Sequence, residues 1–225
     1  MRKFVIGVVA LIVASAPPAL AGPISTVGSW DGSSSVSAMG EPDTATYGQT
    51  FTAPADNVLT SFTFYVNDDE NPDFLDFAAY VYAWDGLKAT GPALFTSGGM
   101  STTDNGGAGG FETITVNTGG VTLVPGSLYV AFFSASNFFD GIAGTSTWGY
   151  LDADGYAGGG FWFSNNGNNF AALTTNNWEN FVGGGVDDLA FSMEFSPSQV
   201  PEPATLTMLA LGIAGGVCRF RRRNR

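Results

Sequence analysis

Between residues 22 and 199, apolar residues recur at every second position in run after run, and no 15-residue stretch carries a helical period. Successive side chains on a strand point to opposite faces, so a period of two marks a strand with one face buried. Phe62, Phe64 and Val66 alternate with Thr63 and Tyr65. Ala79, Val81 and Ala83 alternate with Tyr80, Tyr82 and Trp84. Ile114 and Val116 alternate with Thr113, Thr115 and Asn117, and Leu189, Phe191, Met193 and Phe195 with Ala190, Ser192 and Glu194. Residues 128–133 form a nearly continuous apolar run, which fits a central strand. Shorter candidates lie at 49–51, 148–151 and 161–163. Turn chemistry falls at 54–57, Asp85-Gly86, 105–107, Gly119-Gly120 and Pro125-Gly126. About eight short strands separated by such loops predict an all-β domain, a β-sandwich of the jelly-roll type. A β-helix would need a fixed repeat, and none is visible. Residues 155–180 differ in texture, being rich in Gly and Asn with aromatics between, and read as an extended surface loop or a pair of edge strands.

The two ends do not belong to this domain. Arg2 and Lys3 precede an apolar run over 4–16, then Pro17, Pro18 and Ala19-Leu20-Ala21. Positive region, apolar core and small-residue cleavage site arrive in the order of a secretory signal peptide, assigned to residues 1–21. Signal peptidase would leave Gly22 as the first residue. At the other end, Val200, Pro201, Glu202 and Pro203 precede an apolar stretch over 204–218 and a basic cluster of Arg219, Arg221, Arg222, Arg223 and Arg225. Fifteen residues make a helix of about 22 Å against a hydrocarbon core of about 30 Å. A short C-terminal membrane helix would therefore span only by thinning the bilayer or by drawing in its flanks, with the arginines held on the cytoplasmic side.

Residues 200–225 resemble the PEP-CTERM family of sorting tails, in which a Val-Pro-Glu-Pro opening, a short apolar segment and a basic end follow one another. The resemblance implies processing by an exosortase, a membrane protease that removes the tail during export. It further implies a Gram-negative bacterium that makes exopolysaccharide, and a protein of the cell envelope, outer surface or medium that is anchored only transiently in the inner membrane. A plain tail anchor with an accidental Pro-Glu-Pro is the alternative. Residues 49–134 are similar in texture to the exported β-sandwich domains of such proteins and to carbohydrate-binding sandwiches, and no binding residue carries over from that likeness.

Removing both ends leaves residues 22–199, enough for one domain with a real core. Nineteen acidic residues face a single cation, Lys88, for a formal charge of −18. Phosphate binding requires basic residues to displace counterions, so a nucleic-acid partner is excluded. The single cysteine, Cys218, lies in the tail, and no disulfide can staple the domain. There is no histidine, which excludes Ser-His-Asp and Cys-His catalysis and His-ligated zinc.

Two constellations remain. Asp68, Asp69, Glu70, Asp73 and Asp76 place oxygen ligands close together, as Ca²⁺ prefers, although the spacing is not that of an EF-hand loop. The same charges also suit a solvated inter-strand loop. Asp152 and Asp154 form a shorter calcium candidate, and Asp187-Asp188 an edge or turn feature. Tyr80, Tyr82 and Trp84 share one strand face; if the small residues between them point inward, the rings form a platform for sugars. In the opposite arrangement the rings pack the core. Trp148, Trp162 and Trp178 are candidates for a second aromatic patch. The reading that follows is a non-enzymatic exported surface protein that binds exopolysaccharide. Its competitors are a purely structural surface protein and a carboxylate-dependent glycoside hydrolase or lyase.

Overall fold

The computed structural model describes residues 22–42, 44–68, 74–103, 109–181 and 187–198. In chain order the strands are β1 (Ile24–Ser25), β2 (Ser35–Gly40), β3 (Thr46–Thr52), β4 (Val58–Asp68), β5 (Asp76–Trp84), β6 (Ala89–Thr96) and β7 (Met100–Ser101). They continue as β8 (Glu112–Thr122), β9 (Leu128–Ser134), β10 (Thr145–Leu151) and β11 (Phe161–Ser164). A single helical turn, α1 (Ala172–Thr175), precedes β12 (Asp188–Leu189) and β13 (Phe191–Ser196).

These strands form two antiparallel sheets, and the fold is a β-sandwich. The seven-stranded sheet runs β1-β13-β4-β10-β12, with β8 on the far side of β4 and β2 paired to β10. The six-stranded sheet runs β11-β3-β9-β5-β6, with β7 also paired to β5. Sandwich cores form where the inward residues of two sheets interdigitate. Here Phe133 lies at the focus: it stacks on Phe77 at 4.7 Å and meets Phe64 at 5.1 Å and Trp148 at 5.2 Å. All four side chains are at most 1 % exposed. The Trp148 indole N–H donates to Ser146 Oγ at 3.0 Å, which removes the cost of burying it.

The six-stranded sheet is covered on both faces, and this accounts for the continuous apolar run at β9. Tyr129, Ala131 and Phe133 face the other sheet, whereas Val130 and Phe132 belong to a second cluster on the outside. A strand buried on both faces has no polar side to alternate with. The segment running from β11 through α1 to Glu179 closes that outer face, bringing in Trp162, Leu173, Trp178 and Phe170.

This outer layer corrects the expectation of an exposed aromatic platform. Ala79 and Val81 do point inward, and Tyr80, Tyr82 and Trp84 do share the opposite face. That face is roofed, so the three rings are only 5–8 % exposed. Tyr80 stacks on Phe132 at 5.1 Å and is covered by Phe170 at 4.8 Å, and burial pushes the Tyr80 and Tyr82 phenols upward. Gly119-Gly120 is also not an inter-strand turn. Both lie inside β8 with φ of 72° and 98°, and the β4 register jumps there from Leu59↔Val121 to Ser61↔Asn117. The pair forms a bulge that glycine's access to positive φ permits.

Candidate functional site

Residues 152–160 connect β10 to β11 and lie along β3. Thr50 N donates to Gly160 O at 2.9 Å, and Gly160 N returns a bond to Thr50 Oγ1 at 2.9 Å. Thr52 Oγ1 donates to Gly158 O at 2.8 Å, and the Tyr156 hydroxyl sits on the Thr52 backbone, accepting from its N–H at 3.2 Å. Gly159 is required by this close approach, since a Cβ there would lie 1.9 Å from Thr50 O. Asp188 fastens the start of the loop: its Oδ2 accepts from Gly155 N at 2.8 Å and Tyr156 N at 2.7 Å. Its Oδ1 accepts from Gln49 Nε2 at 2.7 Å. Burial raises the Asp188 carboxyl from 3.8 to about 6, against the pull of those donors.

Between this loop and the β5–β6 turn at Gly86 runs an open groove of about 360 Å³, a size suited to a small ligand. Trp84 and Trp162 line it, with Asp154, Ala157, Leu128 and Gly158. The two indoles touch at 5.1 Å and are each 7 % exposed. Their N–H groups set them apart from the other tryptophans. Trp30, Trp148 and Trp178 donate to Ser34 O, Ser146 Oγ and Leu173 O. Among the described residues, the Trp84 and Trp162 N–H groups donate to no protein acceptor.

Other sites expected from the sequence are placed as follows. Asp69, Glu70 and Asp73 lie outside the described residues. Asp68 is buried at the end of β4 and accepts from Thr102 Oγ1 at 2.7 Å. Asp76 is exposed and accepts from Ser101 Oγ. Among the described residues no group of three or more acidic side chains is arranged to hold a metal ion. Asp152 and Asp154 are exposed on the groove loop. Of the proposed second aromatic patch, Trp162 and Trp178 join Trp84 in the outer layer while Trp148 fills the inner core. Lys88 closes an ion pair with Asp85 at 3.8 Å across the β5–β6 turn.

Sequence reasoning missed Asp188 as a structural hub, reading it as an edge feature. The signal available was its place before an apolar strand, which cannot reveal that β3 and the groove loop converge on it. Asp187, its neighbour, is equally buried and takes the Tyr150 hydroxyl at 2.6 Å, which together with burial raises that phenol.

Residues 199–223 match the PEP-CTERM protein-sorting motif. No curated protein and no solved structure matches the chain. Fold and tail together define an exported β-sandwich protein sorted by its C-terminal segment. A motif of this type implies processing by an exosortase. Val200, Pro201, Glu202, Pro203 and the terminal arginines lie outside the described residues, as do residues 1–21. Among the described residues no helix is long and apolar enough to cross a membrane.

Proposed function

We propose that this chain is a non-catalytic sandwich of the Gram-negative envelope or extracellular matrix that associates with exopolysaccharide after signal peptidase and exosortase have processed its ends. The sorting motif at 199–223 carries this reading, because it is consistent with export from a Gram-negative bacterium, where exopolysaccharide is a polymer the domain would meet. The chemistry of the domain supports it. The chain has no histidine, and both oxygens of Asp188 are spent on structural hydrogen bonds. A glycoside hydrolase needs two carboxyl groups free to flank a substrate. A purely structural surface protein is the second reading, favoured by the roof over Tyr80 and Tyr82.

Retention on the producing organism's exopolysaccharide tests the proposal. The exported, processed protein is incubated with the polymer in Ca²⁺ and in EDTA. Retention in either condition supports it, and retention only in Ca²⁺ adds a cation and directs mutagenesis to the acidic residues from Asp68 to Asp76. Failure of the folded protein to bind in both would leave the structural reading.

A further inference from the structure

We propose that the groove between the 152–160 loop and the β5–β6 turn is a binding site for a neutral saccharide, with the Trp84 and Trp162 indole N–H groups as donors and the Asp154 carboxylate as acceptor. This assignment rests on the polysaccharide-binding reading and gives it a location different from the buried Tyr80–Tyr82 row.

Three observations carry it. The first is the pair of unspent donors. Buried tryptophans normally find a partner for the N–H, as the other three do here. Trp84 and Trp162 are more than nine-tenths buried and both line the groove, yet among the described residues neither N–H finds a protein acceptor. The second is the amphipathic lining. Indole carbon and the Leu128 side chain offer apolar contact to the C–H groups of a sugar ring, and the exposed Asp154 can accept from two neighbouring hydroxyls. The Thr50 and Thr52 hydroxyls contribute no donors, because both are already spent on loop carbonyls. The third is charge. The domain carries nineteen carboxylates against one lysine, Asp154 lines the groove, and Lys88 is already paired with Asp85. A uronate-bearing or otherwise anionic chain would enter against that field without a cation to meet it, whereas a neutral sugar would not.

The shape of the site follows from the chain around it. Asp188 and Gly159 hold the loop against β3, so the groove wall is set before any ligand arrives. Preorganisation of this kind reduces the ordering cost of binding.

The test uses the exported, processed protein, with its tryptophans labelled with nitrogen-15. Oligosaccharides from partial hydrolysis of the producer's exopolysaccharide are split by anion exchange into neutral and acidic pools. The neutral pool is expected to shift the Trp84 and Trp162 indole N–H resonances and leave those of Trp148 and Trp178 unmoved. Ala157→Trp, at an exposed position that fills the groove, and Asp154→Ala should each weaken binding at least tenfold without altering thermal unfolding. Neither substitution touches the core, so a loss of binding is not a loss of fold. Unmoved indole resonances with the neutral pool, undiminished binding by Ala157→Trp, or preference for the acidic pool would each overturn the assignment. Retention on the whole polymer with any of these results would sink the groove and leave the wider reading standing. Absence of retention would remove both.

Discussion

The carboxylate of Asp188 on β12 accepts a 2.7 Å hydrogen bond from the Gln49 side-chain amide on β3, which joins the two sheets. The amide is fully used, because Gln49 Oε1 in turn accepts from Leu189 N at 2.9 Å. Both side chains are completely buried. The same carboxylate holds the groove loop, so one group ties together both sheets and the candidate site.

Asp188 makes stability depend on pH in a sense opposite to that of an ordinary paired carboxylate. Its pKa is raised from 3.8 to about 6, first by burial. The folded state therefore binds a proton more readily than the unfolded state between these values. The contribution is fully present below about 4 and is lost as pH rises through about 6, by about 3 kcal/mol in all. Asp85 works the other way: its pKa is lowered by the Leu87 N–H, and its stabilisation fades as pH falls. Comparison with Asp188→Asn isolates the buried group. Denaturant unfolding should show wild type losing stability relative to the variant between pH 4 and 6, with a constant difference above. A difference that does not change with pH would contradict the raised pKa.

Trp84→Ala should destabilise the domain by about 3–5 kcal/mol, as expected for removing a large buried aromatic. The ring packs against Trp162 at 5.1 Å and Trp178 at 5.3 Å, so its loss opens a cavity in the outer layer. Thermal and denaturant unfolding measure this directly. A variant as stable as wild type would place the ring on the surface and contradict the roofed face.

Gly159→Ala should cost about 1–3 kcal/mol, the usual penalty for overpacking. The added methyl would meet Thr50 O at 1.9 Å, and backbone cannot give way as a flexible side chain can. Hydrogen exchange should show the Gly160 amide, which donates to Thr50 Oγ1, losing protection first. Gly86→Ala, with open space around its Cβ position, makes a useful comparison for φ strain alone, because its φ is 103°.

Replacement of Pro201, Glu202 and Pro203 by alanine should leave the tail on the exported protein. The matched motif covers these residues. Intact mass measurement of the cell-associated protein, before and after substitution, reads the result. A processed product of unchanged mass would show that cleavage does not depend on the motif.

Much of the sandwich was legible along the chain, because period two is a local property. The strands around Phe62, Val81, Ile114, Val130 and Phe191 stand where alternation or a continuous apolar run put them. β6 escaped notice because Gly91 and Pro92 interrupt it. It borders only β5 in its sheet, and an edge strand can accommodate a residue that donates no ladder bond. β2 was missed for another reason: Ser35, Ser37 and Ala38 carry too little apolar contrast to show a period.

Sequence alone determined the tail motif, the acidic balance, the absence of histidine and the alternation that forces two-faced strands. Each of these is fixed by residue identity or by neighbours a few positions away. Tertiary structure alone decided which faces are covered. Alternation puts Tyr80, Tyr82 and Trp84 on one side of β5, but only the return of residues 165–179 over that side buries them. It likewise decided that Asp188 would meet Gln49, 139 positions away, and that Trp84 and Trp162 would line one groove. Burial and hydrogen-bond partnership are properties of what packs against a residue, and for these residues the partners come from distant parts of the chain.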